Sequence, residues 1–388
     1  VFVAWRDLRF AKGRFALMGT VIVLITVLVG LLSGLTAGLG RENTSAITSL
    51  PADRLAFAAP ADGRDVSFAD SRVERRTWEA WARVPGVTSA EPLGIGTVKA
   101  AAGDGDGQRT AALSAFGVRP GSRLAPGAGR VADGAAVLSA KAADKLGVRA
   151  GDRLTLNGRA LTVAAVAGEA MFSHTPVVWT SLDDWVGAAG GSGHGGGSGA
   201  SGASGASGAS GASGASGGEA ASATVVALST SSDAGLGDAD RQLGTRTVTT
   251  GDALRAIGSY TAENGSLQLM RGFLFAISAL VIGAFFTVWT IQRSGDVAVL
   301  KALGASTGYL LRDALGQAVV LLVAGTGVGT AVAAGVGAAV GGAVPFVLDP
   351  ATVLVPALIM IALGAVGAAL SIRRITAVDP LTALGSAR

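Results

Sequence analysis

The sequence predicts a polytopic α-helical membrane protein. Four transmembrane helices are arranged 1+3, and an α+β extracytoplasmic domain is inserted between helices one and two. Three observations predict it. Only 15% of the 388 residues are charged and 49% are hydrophobic, whereas soluble domains carry about 25% charged residues; the mean hydropathy is +0.50. Four apolar runs free of charge are each long enough for the roughly 20 residues of a membrane span. Finally, the basic residues fall on one side of those runs. Arg6, Arg9, Lys12 and Arg14 precede the first span, Arg293, Lys301 and Arg312 lie between the second and third, and Arg373, Arg374 and Arg388 follow the fourth. The short loop between the third and fourth has none. The positive-inside rule then puts both termini and the 293–313 segment in the cytoplasm and the large domain outside.

Each element has its own signal. Residues 1–14 place Trp5, Leu8 and Phe10 among four basic residues, the pattern of an amphipathic helix on the membrane surface. Residues 15–40 form transmembrane helix 1; the run is too long for the h-region of a signal peptide, the competing reading. Residues 41–269 regain charge, proline and turn glycines and form the extracytoplasmic domain. In it, alternation and turn signals predict strands at 55–58, 66–68, 98–101, 110–116, 135–139, 153–156, 161–166, 177–180 and 225–228. Helices are expected at 72–83, at 141–146 with Gly147 as its C-cap, and at 233–243. The Ala-Ser-Gly repeat within 188–218 has no side chain able to bury area and reads as a flexible loop. Transmembrane helix 2 occupies 270–292, a cytoplasmic segment 293–313, helix 3 residues 314–340, an outer loop 341–352, helix 4 residues 353–372, and a cytoplasmic tail 373–388. Gly325 with Gly329, and Gly337 with Gly341, form two GxxxG pairs, which serve either a dimer contact or close packing within the bundle.

Several function classes are disfavoured. No cysteine is present, and His174 and His194 are the two histidines, so thiolate chemistry and dense metal sites lack ligands. No spacing of carboxylates, or of serine with histidine and aspartate, supports hydrolysis. The net charge of +4 belongs to the flanks of the spans, so nucleic acid is not an expected partner. The spans carry no ionisable groups of the sort that an ion pathway needs.

The segment Arg293-Ser-Gly-Asp-Val-Ala-Val-Leu-Lys-Ala-Leu-Gly-Ala-Ser, the stretch Ala136 to Leu156 and the ending Ile375-Thr-Ala-Val-Asp-Pro-Leu-Thr-Ala-Leu resemble the MacB/FtsX-type permeases. These are the membrane subunits of mechanotransmitting ABC transporters. Asp296-Val297 stands where the family often has Glu-Ile. A narrower likeness, carried by Arg6-Asp-Leu-Arg, Gly13-Arg-Phe-Ala-Leu and Gly34 to Ala46, is to haem-exporting permeases of the HrtB type and their DevC-like relatives. The resemblance implies a non-catalytic subunit with no intrinsic cofactor. It also implies a homodimer paired through spans one and two, with two ATPase subunits that bind ATP and magnesium. The absence of a GxxxxGK[ST] phosphate loop fits an ATPase on another chain.

Two candidate sites follow. Val297, Leu300, Leu303 and Gly304 give the 293–313 segment an apolar face, and Arg293, Asp296 and Lys301 give it charged handholds. The resemblance makes it the coupling helix that docks on the ATPase; the plainer alternative is a solvated turn. Glu42 and Asn43 at the end of span one, with Tyr260, Glu263, Asn264 and Met270 before span two, are candidates for a hydrophobic or amphipathic substrate. Carboxylate, phenol and thioether are possible axial ligands of haem, the first-choice cargo. The bland readings are a helix-end charge for Glu42 and a lipid-facing side chain for Met270. His174 beside Met171, and Met18, are weaker ligand candidates. The alternative functions are an FtsX-like regulator that activates an extracellular cell-wall hydrolase, or efflux of lipid, lipoprotein or antibiotic.

Overall fold

The computed structural model describes residues 12–61, 63–103, 105–127, 129–190, 222–292, 295, 299, 304, 306–341 and 344–376. The chain divides into two compact units, residues 1–39 with 263–388 and residues 40–262.

The second unit is α+β. Its strands are β1 (Arg54–Ala58), β2 (Val73–Glu74), β3 (Val87–Ala102), β4 (Arg109–Val118), β5 (Ala135–Leu138), β6 (Arg153–Leu156), β7 (Arg159–Val166), β8 (Met171–Phe172), β9 (Thr175–Ser181), β10 (Ser222–Ala223), β11 (Val225–Thr230) and β12 (Thr245–Thr249). The long β3 serves two neighbourhoods. Its first half pairs with β11, which continues through β1 to β12 at the edge. Its second half pairs with β4 on one side and β6 on the other, so β3-β4-β9-β5-β7-β6 closes on itself. Closure leaves no free edge there.

Two clusters fill this unit. One gathers Trp78, Trp81 and Trp185 with Leu113, Leu138, Leu154 and Leu156. The other is aromatic: Phe68 contacts Phe57 at 4.9 Å and Phe172 at 5.4 Å between ring centroids, and Phe116 meets Phe172 at 5.6 Å. Residues 66–68 therefore form no strand. Phe68 is held instead by its ring contacts and by its N–H donating to the Ala256 carbonyl at 3.2 Å. The predicted helix at 72–83 is confined to α2 (Arg75–Trp81), because Val73 and Glu74 pair with Ala223 and Ser222 as β2. Helix α3 (Ala140–Leu146) ends at Gly147 with φ +66°, the left-handed cap its sequence predicts.

The Trp185 side chain, with its ring, packs on β3 and β4. A Cβ at Gly94 or Gly117 would stand 2.4 Å from its atoms, which is why two strand interiors tolerate glycine. Ala188 and Ala189, where the glycine-rich stretch begins, are buried beside this ring; residues 191–221 lie outside the described residues.

Helix α4 (Leu182–Trp185) carries Asp184, which is 1% exposed. Its carboxylate accepts from Arg159 Nε and Nη2, both at 2.6 Å, and from the Gly134 N–H at 2.7 Å. Arg159→Ala leaves that buried charge short of two donors, so we expect a loss of about 1–3 kcal/mol. Urea unfolding followed by the tryptophans of the domain measures it. Helix α5 (Leu236–Leu243) completes the unit.

The first unit is a bundle of apolar helices, to which α1 (Lys12–Thr48), α6 (Tyr260–Gln292), α7 (Thr307–Val340) and α8 (Pro350–Thr376) contribute. All four are long and apolar enough to cross a membrane. Met18, Ile22 and Val29 of α1, Ile282, Phe286 and Trp289 of α6, Leu321 and Leu322 of α7, and Met360 of α8 form its core. The first GxxxG pair is spent inside the chain: a Cβ at Gly325 would stand 2.8 Å from Ile22, and one at Gly329 would stand 2.7 Å from Thr26. Gly337 of the second pair receives the ring of Phe346. Close packing within one chain therefore accounts for Gly325, Gly329 and Gly337, as small residues in lipid permit.

Candidate functional site

The helix α1 runs past its charge-free stretch, and residues 42–45 fasten onto the β8–β9 hairpin. Two residues, Ser173 and His174, make the turn of that hairpin, with φ of +48° and +62°. Two successive left-handed residues match the twist of a tight hairpin, but side chains other than glycine hold that conformation at a cost. Contacts to α1 compensate: the Ser173 N–H donates to the Asn43 carbonyl at 3.0 Å and the His174 N–H to the Glu42 carbonyl at 3.3 Å. Ser45 Oγ donates to the Met171 carbonyl at 3.3 Å and accepts from its N–H at 2.9 Å.

Lys141 of α3 donates to Glu42 Oε1 at 2.6 Å, with the Glu42 side chain 22% exposed. Buried Asn43 donates from Nδ2 to Ser259 Oγ at 3.3 Å, immediately before Tyr260. Tyr260 is half-buried against the aromatic core of its unit. The structure thus brings Glu42, Asn43 and the residue before Tyr260 into one neighbourhood, together with Met171 and His174. Met171 is buried, and the backbones of both hairpin residues serve the junction.

The other three candidates follow Tyr260 along α6, which begins ten residues before the predicted second span. Glu263 and Met270 are exposed and Asn264 is half-buried. Met270 belongs to an exposed apolar stripe with Phe273, Ile277 and Leu280, the pattern of a side chain facing lipid or a second chain. Arg271 lies over the Phe275 ring at 5.9 Å.

Sequence reasoning missed Lys141 and Ser45. Both belong to stretches singled out for other reasons, but a partner 99 residues away leaves no local signal. Of the second candidate site, Arg293, Asp296, Val297, Leu300, Lys301 and Leu303 lie outside the described residues. Gly304 is described, with φ +94°, a conformation that favours glycine. Among the described residues no group of three His, Asp or Glu could hold a metal ion.

These features define a multi-pass membrane protein with an α+β domain between its first and second spans. Residues 15–198 match the MacB-like periplasmic core domain, and residues 269–380 match the FtsX-like permease C-terminal family. The Staphylococcus epidermidis protein named "Putative hemin transport system permease protein HrtB" is 22% identical over 99% of both chains. An uncharacterised ABC transporter permease of Mycobacterium bovis is 25% identical, again over 99% of both. The periplasmic region of MacB from Actinobacillus actinomycetemcomitans superposes with TM-score 0.34 and 10% identity, covering 54% of this chain and 95% of that one. The chain belongs to the MacB/FtsX family of ABC transporter permeases. Membership implies an ATPase partner subunit.

Proposed function

We propose that this permease, as a homodimer with two ATPase subunits, expels a hydrophobic or amphipathic molecule from the membrane, with haem as the first-choice cargo. The observation that carries the cargo is the end-to-end similarity to the HrtB relatives, at 22% identity over 99% of each chain. Charge distribution supports both termini and the 293–313 segment as cytoplasmic. In this reading ATP binding and hydrolysis on the partner push that segment and rock spans one and two. The α6 helix runs unbroken from Tyr260 to Gln292, so movement at one end is carried along a continuous rod. The cargo leaves laterally and not through an aqueous pore.

Glu42 and Tyr260 are the proposed ligand-side groups. Because Glu42 is ion-paired with Lys141, a ligand that uses its carboxylate must displace that lysine. Absorbance of the purified protein titrated with haem tests the assignment. A Soret band is expected. Glu42→Ala and Tyr260→Phe should each weaken haem affinity about tenfold, the equivalent of roughly 1.4 kcal/mol. Lys141→Met should strengthen it by freeing the carboxylate. A band unchanged by all three places the site elsewhere. If haem never binds and an extracellular amidase does, the chain is a regulator and not an exporter.

A further inference from the structure

A cavity of about 10 Å³ lies inside the membrane unit among α1, α7, α8 and the loop residues 346–348. Three features distinguish it from ordinary packing. Thr26, which is 3% exposed, lines it, and its Oγ1 has no hydrogen-bond partner among the described residues. Pro356 of α8 also lines it and lacks the N–H that would serve the Thr352 carbonyl one turn back, with Thr352 on the same wall. Such groups are costly in an apolar interior unless something pairs with them. The third feature is the stopper. The Phe346 ring comes from a loop, and its seat is glycine: a Cβ at Gly34 or Gly337 would stand 2.3 or 2.2 Å from its atoms. The Val347 N–H donates to the Gly34 carbonyl at 3.2 Å.

Of the remaining walls, Val29, Ala333 and Met360 are apolar and Thr330 adds a further hydroxyl-bearing residue. With the ring in place the room is that of about one water molecule. With the ring withdrawn, the seat offers a hydroxyl and a carbonyl beneath an apolar sleeve. A hydrocarbon would leave the Thr26 hydroxyl unpaired and the Thr352 carbonyl without the donor that Pro356 lacks. A carboxylate or ammonium would bring a charge that no lining residue neutralises. We propose that this cavity is a binding seat for a neutral, hydroxyl-bearing, single-chain amphiphile, whose hydroxyl pairs with Thr26 and the Thr352 carbonyl, and that Phe346 is its displaceable stopper. The seat is independent of the haem reading, since it uses none of the residues proposed there.

The test is photolabelling of the purified full-length permease in nanodiscs with a diazirine-bearing octanol, read by peptide mass spectrometry. We expect adducts within residues 26–34 and 352–360, competed by unlabelled octanol. Thr26→Val, which keeps the shape and removes the hydroxyl, should lower their yield about fivefold, as loss of one hydrogen bond predicts. Phe346→Ala should raise it. The matching diazirine-bearing octane should label the exposed α6 stripe and leave the seat unmodified. Adducts from the alcohol spread over that stripe, or a yield unmoved by Thr26→Val, would overturn the proposal. Thr26→Val decides the matter alone if Phe346→Ala does not fold.

Discussion

Replacing Gly38 with alanine is expected to shorten the survival of the detergent-solubilised permease more than any other single-methyl change in the bundle. A Cβ at that position would stand 1.8 Å from the Pro345 carbonyl oxygen and 2.4 Å from its carbon. Both are backbone atoms, so no side chain can rotate away. Either α1 or the 345–349 segment must shift, and the segment is fixed at two further points. Val347 is hydrogen-bonded to the Gly34 carbonyl, and Thr352 Oγ1 donates to the carbonyls of Val347 and Asp349 at 3.1 and 2.8 Å. Overpacking of this kind costs about 1–3 kcal/mol where side chains can adjust; with backbone opposed we expect the upper end or more. The measurement is the half-life of monodisperse protein at fixed temperature, the suitable quantity when unfolding is irreversible. Gly272→Ala is the control. Nothing lies within 4 Å of its added methyl, and removing a mid-helix glycine should stabilise by about 0.5–1 kcal/mol. Equal half-lives for the two variants would show that α1 does not pack on Pro345 as described.

Much of this fold is legible in the sequence wherever one element answers to one signal. The four spans follow from length and lack of charge, and α3 follows from a short apolar-periodic run ended by Gly147. The strands β4, β6, β7 and β11 follow from alternation. Misreadings occur where a distant partner decides the outcome. Alternation at 66–68 gives no strand because Phe68 joins an aromatic cluster. Only 98–101 of the long β3 reads as strand, since Pro92, Gly94 and Gly96 look like breakers; the glycines make room for Trp185 and its neighbour Ala189. The edge strand β12, Thr245–Thr249, offers no apolar alternation to find. The GxxxG pairs display their spacing but not their partner, which proves to be α1 and Phe346. At the candidate site, sequence supplies the residue types at 42, 43 and 260. It could not supply the Lys141 ion pair or the hairpin that grips residues 42–45, because neither contact is local.

The second large effect concerns the segment after α6. Charge reversal at Asp296 or Lys301 is expected to abolish export while leaving substrate binding intact. In the proposed reading these two charges and the apolar residues Val297, Leu300 and Leu303 contact the ATPase from the cytoplasm. Reversing one charge at such an interface sets like charges against each other, which costs several kcal/mol. At 1.4 kcal/mol per decade, that weakens docking about a hundredfold or more. ATP hydrolysis by the ATPase should persist at its uncoupled rate, because no residue of this chain is assigned to nucleotide chemistry. Haem titration of the Asp296→Lys variant should reproduce the wild-type curve, since the proposed ligand groups at Glu42 and Tyr260 are untouched. The assay is therefore a pair: substrate efflux from vesicles that hold both subunits, and haem binding to the permease alone. Loss of both functions would indicate general misfolding, while full efflux in both variants would remove the 293–313 segment from the coupling path. The diagnostic result is efflux lost with binding kept. It would mean that force enters at this segment and that cargo is held where the charge reversal does not reach.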